Sequence, residues 1–313
     1  MRIALVGAVE SSRRALEVLV GAGRPPLAVV TLPTDRASRH ADFVDLRPIA
    51  SKVGIPVLAT SDVNAPDTRA ALASLRPDHL LVIGWSQIFR PELLAVPLRG
   101  CLGYHPSALP QNRGRGVIPW TIVQGLTSTA GTLFWLDEGT DSGDVLLQDR
   151  FPVDPDETAR SLYDKHLRAL ERMLPRALDL LETGNPPRTP QHHERASFCA
   201  KRVAGDGAVD WTRPAHEVWT LIRASGDPYP GAFTSLDSQR VFLLEAQYVG
   251  PAPYWGFPGQ VQAIEPDGVL VQCGDRGHVR LSTVRVEGRP PSSAIDVFRL
   301  HDRVSSPTGG VTS

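Results

Sequence analysis

The sequence predicts an α/β protein: a Rossmann-like doubly wound sheet followed by a smaller C-terminal β-rich, barrel-like domain. Three observations carry the prediction. Through the first half, short apolar runs alternate with stretches that repeat at helical spacing, as parallel strands covered by helices do. The stretch 184–193, with prolines at 186, 187 and 190, then breaks regular structure. Beyond it, short apolar or alternating segments recur between glycine turns, the pattern of a small barrel or open β-domain.

In order, residues 3–6 read as a buried first strand and residues 15–20 as the face of an amphipathic helix. A second strand over 27–32 closes the first parallel unit. Residues 46–53 read as helix, 57–59 as strand, 69–75 as helix and 80–83 as strand. Gly7 stands without the rest of a Gly-x-Gly-x-x-Gly pattern, which argues against a dinucleotide. The run 103–116, with one histidine, two prolines and alternating arginine and glycine, reads as a rigid polar loop. A short helix over 118–124, a strand over 130–136 and a second loop over 136–144 bring the chain back to the same sheet edge. A strand over 145–148 and a long helix reaching Leu180, opened by the acidic stretch 154–158, complete the first domain. The expected division is 1–190, a linker over 191–205, a β-rich domain over 206–304 and a disordered tail over 305–313.

Composition narrows the function classes. A formal net charge of -1 argues against a broad electrostatic grip on nucleic acid. Three widely spaced cysteines form neither a disulfide framework nor a zinc pattern, and His192-His193 lacks further ligands at metal spacing, so no metal site is expected. No apolar stretch reaches membrane-spanning length and none resembles a signal peptide, which points to the cytoplasm.

The chemistry concentrates in His105-Pro106-Ser107-Ala108-Leu109-Pro110, Arg113-Gly114, and Asp137-Glu138-Gly139-Thr140-Asp141-Ser142-Gly143-Asp144. Together and at this spacing, these resemble the folate-dependent formyltransferase family, which includes glycinamide ribonucleotide, methionyl-tRNA and sugar-nucleotide formyltransferases. The run Asp227-Pro228-Tyr229-Pro230-Gly231-Ala232-Phe233 extends the resemblance over nearly the whole chain. It is closest to the sugar-nucleotide enzymes, such as the formylating half of the lipid A aminoarabinose pathway enzyme.

The resemblance implies 10-formyltetrahydrofolate as one-carbon donor. It casts His105 as the group that stabilises the oxyanion and shuttles protons, and Asp141 as the carboxylate that positions it. It places Trp85, Gln87, Phe89 and Leu94 at the wall and rim of the pterin pocket, with Leu136, Asp137 and Thr140 on the opposing loop. One position departs from the pattern. The family carries Asn-x-His and this chain reads Gly103-Tyr104-His105. A missing oxyanion donor typically costs about 100- to 1000-fold in rate.

Arg113 and Arg115 suit phosphate or carboxylate recognition at the acceptor cleft, and Ser107 is a candidate contact beside them. The reading is N-formylation of a primary amine, an amino sugar or sugar nucleotide, with methionyl-tRNA as the runner-up acceptor and nucleic acid disfavoured. Gly103 keeps two rivals in view. One is an altered one-carbon or acyl transferase, or a formyl-folate hydrolase, in which water, Tyr104 or Asn112 supplies the donor. The other is a non-catalytic folate-binding protein. A homodimer is compatible with the resemblance.

Overall fold

A computed structural model describes residues 1–39 and 41–305. The chain divides into two compact units. One comprises Met1–Val117, Thr127–Pro152 and Tyr163–Ala200; the other comprises Ile118–Leu126, Val153–Leu162 and the chain from Lys201 onward. The first unit thus runs ten residues beyond the expected boundary at 190, and two internal stretches belong with the second.

The first unit contains β1 (Ile3–Val6), α1 (Glu10–Gly21), β2 (Val29–Thr31), α2 (Arg47–Lys52), β3 (Val57–Ala59), α3 (Pro66–Ser74), β4 (His79–Val82), α4 (Pro91–Leu94) and β5 (Cys101–His105). After the two-residue β6 (Arg113–Gly114) and α5 (Val117–Val123), which falls almost wholly in the second unit, come β7 (Ser128–Trp135), β8 (Val145–Pro152), α6 (Ala159–Glu182), whose first four residues also belong to the second unit, and β9 (Phe198–Cys199). The sheet order is β3-β2-β1-β4-β5-β7-β8. The first five of these strands are parallel, while β7 and β8 join antiparallel.

Alternation along the strands sends residues to two cores. Ile3 and Leu5 join Leu16 and Leu19 of α1 and Leu170, Leu174 and Leu178 of α6. Ala4 and Val6 join Leu72 of α3 and Leu93 of α4. Both faces of β1 are therefore covered, as a continuous apolar run requires. At the start of α6, Thr158 and Ser161 cap each other: each backbone N–H donates to the other's hydroxyl, satisfying donors that a helix start leaves open.

One expectation fails within this unit. Residues 103–105 are strand, not loop: Gly103 lies between Val82 and Phe134, and His105 is paired with Thr132. The loop begins at Pro106. Pairing on both sides overrides the poor strand propensity of glycine.

The second unit holds α7 (Ala215–Ser225), β10 (Ala232–Leu236), β11 (Gln239–Pro251), β12 (Val261–Glu265), β13 (Gly268–Gln272), β14 (Gly277–Val286), β15 (Ser292–Ser293) and α8 (Ala294–Val297). The sheet runs β10-β11-β14-β13-β12, with β15 on β14. Residues 303–305 bridge both ends of this order, Arg303 to Gln260 and Ser305 to Ser235, which gives the sheet its barrel-like closure. Ser305 is thus part of the sheet, and the rest of the expected tail, 306–313, lies outside the described residues. Trp211, Val218, Ile222 and Phe298 fill the interior. β11 is far longer than the strand expected over 241–244 because register shifts after Leu243 and Tyr248 let it bend with the sheet.

Candidate active site

The site gathers at the carboxyl ends of β4 and β5, where open α/β sheets bind ligands. Gly84, just after β4, has φ +70, and a Cβ there would stand 2.2 Å from Val9 Cγ2. Only glycine turns the chain so closely over the first loop. There the Ser12 hydroxyl donates to the Ile83 carbonyl at 2.5 Å.

The residues expected to form the pterin wall divide. Trp85, Leu94 and Leu136 are partly buried against the core beneath the loop, and the Trp85 indole N–H is buried without a partner. A buried donor lacking an acceptor fits a heterocyclic ligand that brings one. Gln87 and Phe89 do not stand free. The Gln87 amide accepts from Val63 N at 2.9 Å and donates to Ser61 O at 2.7 Å, tethering the neighbouring loop, and Phe89 is core. Asp137 accepts from Gly139 N and from the Ser142 hydroxyl, shaping its own turn, while Thr140 is exposed.

His105 and Asp141 come together. His105 is 5% exposed. Its Nε2 lies 2.7 Å from the Asn112 carbonyl, an acceptor only, so Nε2 carries hydrogen and donates. Its Nδ1 lies 3.5 Å from Asp141 Oδ2, a distance for charge attraction rather than a good hydrogen bond. The same Oδ2 accepts from Gly114 N at 2.8 Å. Asn112 and Asp141 both have left-handed backbones, φ +57 and +50, conformations that asparagine and aspartate reach more readily than other side chains.

Gly103 lies on the same face of β5 as His105. A Cβ there would stand 2.7 Å from Leu136 Cδ2 and 2.9 Å from Phe134 Cε1. The place of a side chain at 103 is filled from β7 by its cross-strand partner, an aromatic ring over glycine. Tyr104 points the other way and donates its hydroxyl to the His166 carbonyl at 3.0 Å, so it does not supply the missing donor. Burial pushes its ionisation far above the usual tyrosine range.

The three residues expected to touch the acceptor also separate. Ser107 is 2% exposed and donates to Gln111 O at 2.7 Å. Arg113 is 4% exposed; its guanidinium donates to Gln191 Oε1 through Nε at 3.2 Å and Nη2 at 2.6 Å. Ser107 and Arg113 are thus buried and engaged in hydrogen bonds within the protein. Arg115 alone is exposed. Among the described residues, no group of three or more His, Cys, Asp or Glu could hold a metal ion, and no helix is long and apolar enough to cross a membrane.

Two family models match, "Formyl transferase" over residues 28–178 and "Formyl transferase, C-terminal domain" over 203–301. The chain belongs to the formyl transferase family. A methionyl-tRNA formyltransferase of Geobacter metallireducens is 33% identical over 298 residues, covering 95% of this chain and 94% of the relative. In fold, this formyltransferase is similar to HypX from Aquifex aeolicus, solved with tetrahydrofolic acid (TM-score 0.68, 21% identity, 95% of this chain and 46% of that one). It is also similar to an N-formyltransferase from Helicobacter canadensis, solved with folinic acid and dTDP-3-aminofucose (TM-score 0.65, 16% identity, 90% of this chain and 98% of that one). The sequence relatives are named for methionyl-tRNA rather than an amino sugar. The preference order read from the sequence is therefore reversed, and near-neutral charge does not set nucleic acid aside.

Sequence reasoning missed Phe134, the Asn112 carbonyl, Gln191 and Ser197. Phe134 was legible in principle as an aromatic in the strand following a glycine-bearing one. The Asn112 carbonyl is a backbone group that any residue there would carry, and Gln191 and Ser197 act through long-range hydrogen bonds that leave no periodic signal.

Proposed function

We propose that this formyltransferase moves a formyl group from 10-formyltetrahydrofolate to a primary amine, with the amine of methionyl-tRNA as the first candidate acceptor. The observation that carries the reaction class is the placement of His105, its Nε2–H committed to the Asn112 carbonyl and its Nδ1 beside the Asp141 carboxylate. Full-length similarity to methionyl-tRNA enzymes supports the acceptor. The amine nitrogen bonds to the formyl carbon, the bond from that carbon to folate N10 breaks, and the proton lost by the amine ends on N10. His105 and Asp141 stand where that proton is handed over. Trp85, Leu94 and Leu136 would hold the pterin, and the exposed Arg115 would meet the acceptor.

A nucleotide-linked amino sugar is the second reading, favoured by the run from Asp227 to Phe233 and by the fold likeness to the Helicobacter canadensis enzyme. Mass spectrometry of methionyl-tRNA and of dTDP-linked amino sugars, each incubated with protein and formyl-folate, decides between them. Formylated methionyl-tRNA supports the first reading. Donor hydrolysis with every amine unchanged would replace transfer by hydrolysis, and donor binding without turnover would leave a binding protein.

A further inference from the structure

The proline-bearing stretch 184–193 and the expected linker that overlaps and follows it lie along both loops of the site. The Pro187 carbonyl accepts the Trp135 indole N–H at 3.0 Å, and Thr189 exchanges backbone hydrogen bonds with Val145. Farther on, Ser197 O accepts from Arg113 N, Ser197 Oγ accepts from Asn112 N, and Cys199 O accepts from Arg115 N. Between these two sets stands Gln191, 6% exposed.

The Gln191 amide uses all four of its hydrogen-bonding capacities. Its Nε2 donates to Asp141 O at 2.9 Å and Gly143 O at 2.7 Å, and its Oε1 accepts twice from the Arg113 guanidinium. We propose that Gln191 is a positioning residue: it locks the Asp141 loop to the Arg113 loop and so fixes the carboxylate at His105. The inference rests on the formyl-transfer reading for its catalytic consequence, though not for its geometry.

Asp141 sits at φ +50, a conformation that persists only when its surroundings hold it. Its side chain is fixed by one donor, Gly114 N, from the Arg113 loop. Its main chain is fixed by Gln191, which grips that same loop through Arg113. The carboxylate and its donor are therefore referenced to one another from both ends. A misplacement of about 1 Å at a reacting group costs on the order of a hundredfold in rate.

The test compares Gln191→Glu and Gln191→Met with the exposed Glu194→Gln as control. Glutamate keeps the size and the acceptor for Arg113 but sets a carboxylate against the two carbonyls; methionine removes all four bonds. Two readouts are taken: kcat and KM with formyl-folate across pH, and the NMR titration of the His105 ring, which needs neither acceptor nor turnover. Expected for Gln191→Glu are a fall in kcat of about tenfold to a hundredfold, a donor KM within about twofold, and a displaced His105 titration. Glu194→Gln should match the wild type. An unmoved His105 titration in folded Gln191→Glu, with kcat falling only as the folded fraction falls, overturns the proposal. If Gln191→Met does not fold, Gln191→Glu decides alone. Absence of turnover in the wild type would refute formyl transfer, and the NMR result would still decide the positioning.

Discussion

Successive residues of β5 point to opposite sides of the sheet, and each side leads to a buried histidine in a different condition. On one side, His105 meets an acceptor oxygen at each ring nitrogen, Asn112 O at 2.7 Å and Asp141 Oδ2 at 3.5 Å. On the other, Tyr104 leads to His166, which packs edge-on against Phe151 with its Nε2 buried and unpartnered. Burial first, and the nearby charge of His105 second, hold His166 down to about 3. Two rings of the same kind, almost equally buried, are thus prepared for different ends. The ring proposed to pass protons has an oxygen near each nitrogen; the ring that fills a core need only stay neutral.

The largest expected effect breaks that symmetry directly. His105→Ala should lower formyl transfer by roughly 100- to 10,000-fold, the usual scale for a general acid–base group. Asp141→Ala should lower it comparably, and the double variant little further, because a pair acting as a unit is non-additive. His166→Leu should leave kcat within about twofold. Its loss does not orphan Tyr104, whose hydroxyl still donates to the backbone carbonyl of residue 166. Steady-state kinetics on the four variants checks this. Equal losses at 105 and 166 would mean that the two faces of β5 are not functionally distinct.

This pair also marks where sequence reading works. His105 and Asp141 were legible because proline, glycine and arginine neighbours fix them in consecutive motifs, and the strands beside them announce themselves as apolar runs. The state of each histidine was not legible. The partner of His105 Nε2 is a backbone carbonyl, which any residue at 112 would carry. Gln191 meets Asp141 from 50 positions away, inside a stretch whose prolines read as a spacer. The burial of Arg113 was not legible either, because guanidinium chemistry is visible in sequence and burial is not. The barrel was recognisable from its strands, whereas its closure by residues 303–305 rests on isolated bridges too short to form a pattern.

Acid should sharpen the contrast next. His166 has its folded pKa lowered to about 3 from 6.5, so between those values the unfolded chain binds the extra proton. Stability is fully present above about pH 6.5, declines as pH falls below it, and the loss is complete below about 3. At pH 5 this one ring accounts for about 2 kcal/mol. Burial also lowers His79 and His278, so acid sensitivity persists without His166. Urea unfolding at pH 8 and pH 5 should show that His166→Leu loses less stability than wild type by about that amount. Equal losses in the two proteins would mean that the ring is not held neutral.

The smallest effect tests the site face itself. Gly103 precedes His105 by two positions and shares its direction, and the family pattern has an asparagine there whose amide would serve a developing oxyanion. Restoring the amide would raise kcat if space were available. The space is occupied: Leu136 Cδ2 and the Phe134 ring stand within 3 Å of where Cβ would lie. Leu136 is at a partly exposed rim and can yield, but Phe134 is 2% exposed and directly paired with Gly103, so it moves only by disturbing the strand that flanks His105. Overpacking of this kind costs about 1–3 kcal/mol. Gly103→Asn should therefore lower kcat, by about tenfold if 1.4 kcal/mol of that cost falls on the reacting geometry, with donor affinity reduced only as far as Leu136 shifts. Phe134→Leu, made in the same chain, should relieve part of the loss, since residues sharing one space couple. A rise in kcat for the single variant, with the fold unchanged, would show that the aromatic ring yields and that the glycine merely omits a donor. Recovery only in the double variant would show that β5 and β7 hold glycine and phenylalanine as a matched pair.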